Sequence, residues 1–185
     1  MQNIQSHPIS AEAYHKMAEV GILPDDIHVE LINGVIYDMS PIGNEHNEIV
    51  DQLTEILILN LRKKARVRVQ GSILLNKTGR EGEPEPDVSI LKSKSYRNIP
   101  ATADDVYLLI EVSDSTLEKD HNIKLPFYAA NKIPEVWIIN IPEKSIEIYQ
   151  DPINDHYSNI RTSLNAGIFT PLLIPDTPID LSQLF

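Results

Sequence analysis

The run Val106-Tyr107-Leu108-Leu109-Ile110-Glu111-Val112 is apolar at nearly every position and carries one carboxylate near its end. Such a run predicts a strand covered on both faces, because a strand open to water on one side alternates apolar with polar residues. An ionised carboxylate does not bury in that setting without a partner cation, a metal or a shifted pKa. Glu111 is therefore the residue around which the rest of the chain is read. Upstream, Pro86-Asp87-Val88-Ser89-Ile90-Leu91 makes a second core strand opened by an acid, preceded by a strand over Val67–Leu75 and the turn-rich Asn76–Gly82. Downstream, Val136–Ile141 is another apolar strand, turned by Pro142–Ser145 into Ile146–Tyr149, with a further strand near Tyr157–Ser163 and a short apolar end at Leu181–Phe185.

Helical periodicity supplies the covering layers. Ile49, Val50, Leu53, Ile56, Leu57 and Leu61 recur at the 3.6-residue period and predict a helix from Glu45 to about Lys64. Asn44 can cap it, Glu45 and Glu48 suit its positive end, and Arg62, Lys63 and Lys64 suit the other. Ser115–Lys132 is a second helix that Pro126 must kink or restart. At the N-terminus, Ser10–Val20 makes a short amphipathic helix capped by Ser10 and stopped by Gly21 and Pro24. Asn33-Gly34 between two β-rich runs, His28–Ile32 and Val35–Met39, is a hairpin signal. The expected fold class is mixed α/β (α+β): a central mixed sheet flanked by helices, with an N-terminal helix and a β-hairpin.

Length and composition bound the function. The 185 residues suit one domain, with a core over about 28–150 and strands and a tail over 151–185. With no cysteine, disulfides, thiolate catalysis and Cys-ligated metal sites are excluded. Apolar runs are too short to span a membrane, and the first ten residues lack a secretory profile, which points to a soluble, cytoplasmic domain. The net charge of −11 argues against loose binding to nucleic acid. Yet Arg62–Arg97 holds ten basic residues against four acidic ones, among them Arg66, Arg68, Lys77 and Arg80. A basic strip on an acidic body can steer a polyanion, and the same residues can equally be solvated strand ends.

Two strands that present Asp87 and Glu111 at matching ends form an oxygen-donor site suited to Mg²⁺ or Mn²⁺. Ser113, two residues beyond Glu111, shares its face, and Lys124 on the next helix is close enough to reach back over the strand end. Taken singly, a strand-terminal Asp is a turn cap and a lone Lys a solvated face. Together, the three could also be a buried ion-paired network without catalysis. His46 aligns with Val50 and Leu53 on the core stripe, as a core histidine bonded to backbone or as a site-lining residue. Tyr128 and Trp137 are read as packing residues.

Pro86-Asp87, followed after 23 residues by Glu111-Val112-Ser113, resembles the PD-(D/E)XK nuclease signature. Nearly the whole chain is similar to the Uma-two type of restriction endonuclease within that superfamily. The match runs from Glu30–Pro41 through His46, Pro86–Val88, Ile110–Ser113, Asp120, Lys124–Tyr128, Pro134–Ile139 and Ile179–Phe185. The resemblance implies a restriction-endonuclease-like core and metal-dependent phosphodiester hydrolysis, most naturally of DNA, with Mg²⁺ as cofactor and Mn²⁺ as its substitute. It makes Asp87 and Glu111 metal ligands. It also makes Lys124 the lysine that the general signature places where this chain has Ser113, and Glu30 an acidic contribution from the early hairpin. Cutting both strands of a duplex calls for two active sites, so a homodimer is expected.

Overall fold

In the computed structural model, residues 7–24 and 26–185 are described, so most of the N-terminal stretch read for a targeting signal lies outside them. Six strands form the central sheet in the order β3-β4-β5-β6-β7-β8: β3 (Ala65–Val69), β4 (Val88–Lys92), β5 (Val106–Ser113), β6 (Glu135–Asn140), β7 (Ser145–Ile153) and β8 (His156–Leu164). Every neighbouring pair is antiparallel except β5 and β6. That parallel pair needs a crossover, which residues 114–134 provide. Because β7 and β8 belong to this one sheet, the sheet extends past the expected core limit at 150.

The alternation along β5 divides the core in two. Leu108, Ile110 and Val112 face helix α2 (Asn44–Leu61) and pack with Ile49, Val50, Leu53, Leu57, Leu61, Val88, Ile90, Trp137 and Ile139. Leu109 and Val106 face the other way, with Val136, Ile138, Leu125, Phe127, Tyr128 and Ala129. Helix α1 (Ala11–Glu19) and the hairpin of β1 (Val29–Ile32) with β2 (Val35–Asp38) complete the fold on the described N-terminal side. Ser10 caps α1 as expected, its hydroxyl accepting from the Ala13 amide at 3.1 Å. Asn33 and Gly34 both take positive φ (53° and 77°), the two-residue turn that matches strand twist. A short pair, β9 (Ile168–Phe169) with β10 (Ile179–Asp180), leads into the apolar end expected at Leu181–Phe185, where Leu181 and Leu184 bury against the α2 side of the core.

Some boundaries differ from expectation for local reasons. Helix α2 takes Gly43 as its N-cap and ends at Leu61, leaving Lys63 and Lys64 beyond its end. The strand expected over Val67–Leu75 breaks after Val69: Gln70 has φ +44°, and the chain leaves the sheet to bring Ile73 and Leu75 onto its α4 side. The helix expected over Ser115–Lys132 is divided into α3 (Leu117–Lys119), a π turn (Asp120–Lys124) and α4 (Leu125–Ala130). Pro126 has no N–H to donate, and the wider turn just before it absorbs the missing bond. No described helix is long and apolar enough to cross a membrane.

Candidate active site

Glu111 is buried near the carboxyl end of β5, pointing away from α2. The crossover returns over it. Asp120, Lys124 and Tyr128 are four residues apart and therefore share one helical face. Lys124 Nζ lies 3.0 Å from Glu111 Oε2, and the Tyr128 hydroxyl donates to Glu111 Oε1 at 2.5 Å. Lys124 also stands 3.6 Å from Glu30 Oε2 and 3.9 Å from Asp120 Oδ1. Glu30, on β1, is held in turn by Lys119 at 2.9 Å and by the Glu85 amide at 3.2 Å. Asp87, just before β4, accepts from the Val112 amide at 2.8 Å and meets His46 Nε2 at 3.1 Å. Glu30, His46, Asp87, Glu111, Asp120 and Lys124 line a single open pocket.

The pocket holds more negative than positive charge. Six carboxylates line it (Glu30, Glu85, Asp87, Glu111, Asp114 and Asp120), opposed by Lys119, Lys124 and His46. Burial pushes Glu111 up to about 8, against the attraction of Lys124, with Asp120 and Asp87 pushing further upward. Burial also raises Asp120. Burial alone would lower Lys124, but Glu111, Glu30, Asp120 and Asp87 reverse that and raise it, so it remains an ammonium. Both shifts express one balance: the lysine keeps its proton because carboxylates surround it, and the buried Glu111 carboxylate takes one up more readily than an ordinary carboxylate does. Asp87 raises His46 through its hydrogen bond, with burial opposing.

A hard divalent cation fits this donor set, which is carboxylate oxygen in charge excess. Among the described residues no three His, Asp or Glu side chains are grouped to hold a metal by themselves. Two carboxylates completed by water and substrate oxygens is the usual manner of Mg²⁺.

The sequence-expected residues Glu30, His46, Asp87, Glu111 and Lys124 come together. His46 lines the site and bonds Asp87 rather than backbone, and its buried Nδ1 has no partner among the described residues. Ser113 shares the crossover side of the sheet, but its hydroxyl is committed to Asp120 at 2.6 Å, with Thr116 beside it at 3.0 Å. Tyr128 is not merely packing, since its hydroxyl bonds Glu111. Asp120, Lys119 and Glu85 were given no role from sequence. The 120–124–128 spacing was the available signal for the first, and only tertiary contact reveals the other two. Arg66 and Arg68 sit together on β3, whereas Lys77 is paired with Asp104 at 2.5 Å and its loop is anchored on Asn131, with Arg80 in the exposed turn that follows.

The fold and site together define a restriction-endonuclease-like protein, a six-stranded mixed sheet with a lysine and two acids at the crossover. The family described as "Putative restriction endonuclease", Uma2, matches residues 11–181, and the chain belongs to it. A crystal structure of a "putative nuclease" from Anabaena variabilis shares the fold, with a TM-score of 0.72 and 15% identity over 96% of this chain and 98% of that one. No curated protein matches the chain.

Proposed function

We propose that the chain is a metal-dependent endonuclease that hydrolyses phosphodiester bonds, with DNA as its substrate and Mg²⁺ as its cofactor. The observation that carries this reading is the convergence of Asp87, Glu111 and Lys124, from two strands and a crossover helix, in one open acidic pocket. Asp87 and Glu111 would hold the ion, which supplies Lewis-acid stabilisation of the phosphoryl oxygens and a hydroxide at neutral pH. Lys124 is charged and buried, so it is suited to stabilising negative charge on the phosphate rather than to accepting a proton. Tyr128 fixes the orientation of Glu111, and Lys119 fixes Glu30. His46 leans on Asp87 and would yield part of that contact to the ion.

A second reading, a nuclease-derived binding module with little activity, is favoured by one observation: Lys124 and Tyr128 already engage both oxygens of Glu111. Mn²⁺ titration calorimetry separates the two, run on the wild type, Asp87→Asn and Glu111→Gln beside hydrolysis of a labelled oligonucleotide. The nuclease reading expects one binding event, lost in both variants together with hydrolysis. Absence of Mn²⁺ binding by the wild type would leave the second reading.

A further inference from the structure

Three cations surround one ring on the β3 edge of the sheet. Arg68 Cζ stands 5.0 Å, Lys94 Nζ 5.2 Å and Arg66 Cζ 6.0 Å from the centre of Tyr96. Lys94 is paired with Asp105, but among the described residues no carboxylate pairs with either guanidinium. Arg68 is held in place. Its Nη1 donates to the Ser72 carbonyl at 3.0 Å, and its stem crosses Gly71, where an added Cβ would stand 2.6 Å from Arg68 Cδ. The Tyr96 hydroxyl donates to the Lys92 carbonyl at 3.0 Å, fixing the ring among its cations. Fixed like charge costs stability, and in a chain of net charge −11 this concentration is suited to a polyanion.

Its position relates it to the catalytic pocket. Ala65 and Val67 pack toward α2, so Arg66 and Arg68 take the opposite sheet face, the one that carries Glu111. Arg68 pairs with Ser89 and Arg66 with Leu91, two and four residues along from Asp87, which is roughly 7 and 13 Å at strand spacing. Gln70, immediately past the end of β3, lines the pocket, its amide donating to the Asp87 carbonyl at 3.0 Å.

We propose that Arg66, Arg68 and Lys94, gathered around Tyr96, bind successive backbone phosphates of the nucleic-acid strand on the β3 side of the scissile bond. This rests on the nuclease reading and names where the substrate lies. Cations occupy the surroundings of the Tyr96 ring, so the contact is with phosphates rather than stacked bases and tolerates any sequence.

The test is fluorescence anisotropy of labelled oligonucleotides of two unrelated sequences, in EDTA, over a series of salt concentrations. The parent is Asp87→Asn, compared with the same protein carrying Arg66→Gln and Arg68→Gln, or carrying Lys16→Gln as a charge control. Expected is a loss of about tenfold or more in affinity for both oligonucleotides, with the slope of log K against log salt shallower by about 1–2, and no change with Lys16→Gln. An unchanged affinity and slope, or no binding by the parent, overturns the proposal. Thermal unfolding of each variant separates lost binding from lost fold, and single Arg66→Gln, at an exposed position, keeps the test available if the double variant is unstable. Metal-dependent nicking by wild type with an unchanged salt slope would sink this surface and spare the nuclease. Lost oligonucleotide binding without any nicking by wild type would do the reverse.

Discussion

Tyr128 and Glu111 meet at 2.5 Å, with Lys124 holding the other oxygen of the same carboxylate at 3.0 Å from one helical turn earlier. One face of the crossover thus grips both oxygens of the buried acid. Tyr128→Phe removes a donor and leaves Glu111 Oε1 unpaired in a buried site, which costs about 1–3 kcal/mol. Urea unfolding of the metal-free protein measures it, and unchanged stability would mean that the contact orients nothing.

Lys124 is the only cation within ion-pairing distance of Glu111 among the described residues. Lys124→Ala is expected to abolish hydrolysis and to destabilise the metal-free protein by about 3–5 kcal/mol above about pH 8, where Glu111 is ionised and is left without its cation. The raised pKa of the lysine makes its contribution fully present below its unfolded value and lost only in strong alkali. The gap should narrow as pH falls through about 8, where Glu111 takes up a proton and needs no partner, and further at lower pH as Asp120, also raised, follows. Mn²⁺ should restore more stability to the variant than it adds to wild type, read as the shift in unfolding midpoint.

Asp105 supplies a pH dependence away from the catalytic pocket. It accepts from the Thr102 amide at 3.1 Å and pairs with Lys94 at 2.5 Å. Burial opposes ionisation, but Lys94 and Thr102 outweigh it and hold the carboxyl below its ordinary range. A depressed folded pKa stabilises above the unfolded value, near 3.9, and the benefit is lost as pH falls through the folded one. Asp105→Ala should therefore cost about 1–2 kcal/mol at pH 7, and the cost should shrink below about pH 4. A gap constant with pH would contradict the ion pair and leave only packing.

Much of this arrangement was legible in the residues. The apolar run of β5 placed Glu111 inside the core, the Asn33-Gly34 pair gave the hairpin, and the 3.6-residue period gave α2. Lys124 was placed by its distance along the crossover together with the family resemblance. The π turn was not legible, because Pro126 signals a break without saying how the helix resumes. Nor was the break at Gln70, where the chain leaves an edge strand whose side-chain pattern would have allowed it to continue. Lys119 on Glu30 and Glu85 beside it depend on how the hairpin docks against the crossover, which no local pattern encodes.

The most direct test of the account is nicking of supercoiled plasmid by wild type and Asp87→Asn, with Mg²⁺ and with EDTA. Among the described residues the Asp87 side chain meets the Val112 amide and His46 through different oxygens; an asparagine oxygen can still accept from the Val112 amide, and its NH2 can donate to His46 Nε2 in the Nδ1-protonated imidazole. The variant should therefore fold and lose only the charge that holds the ion. The expected result is Mg²⁺-dependent nicking by wild type, abolished by EDTA and reduced at least a hundredfold in the variant. Equal nicking by the two proteins, or nicking that persists in EDTA, would contradict a metal centre built on Asp87.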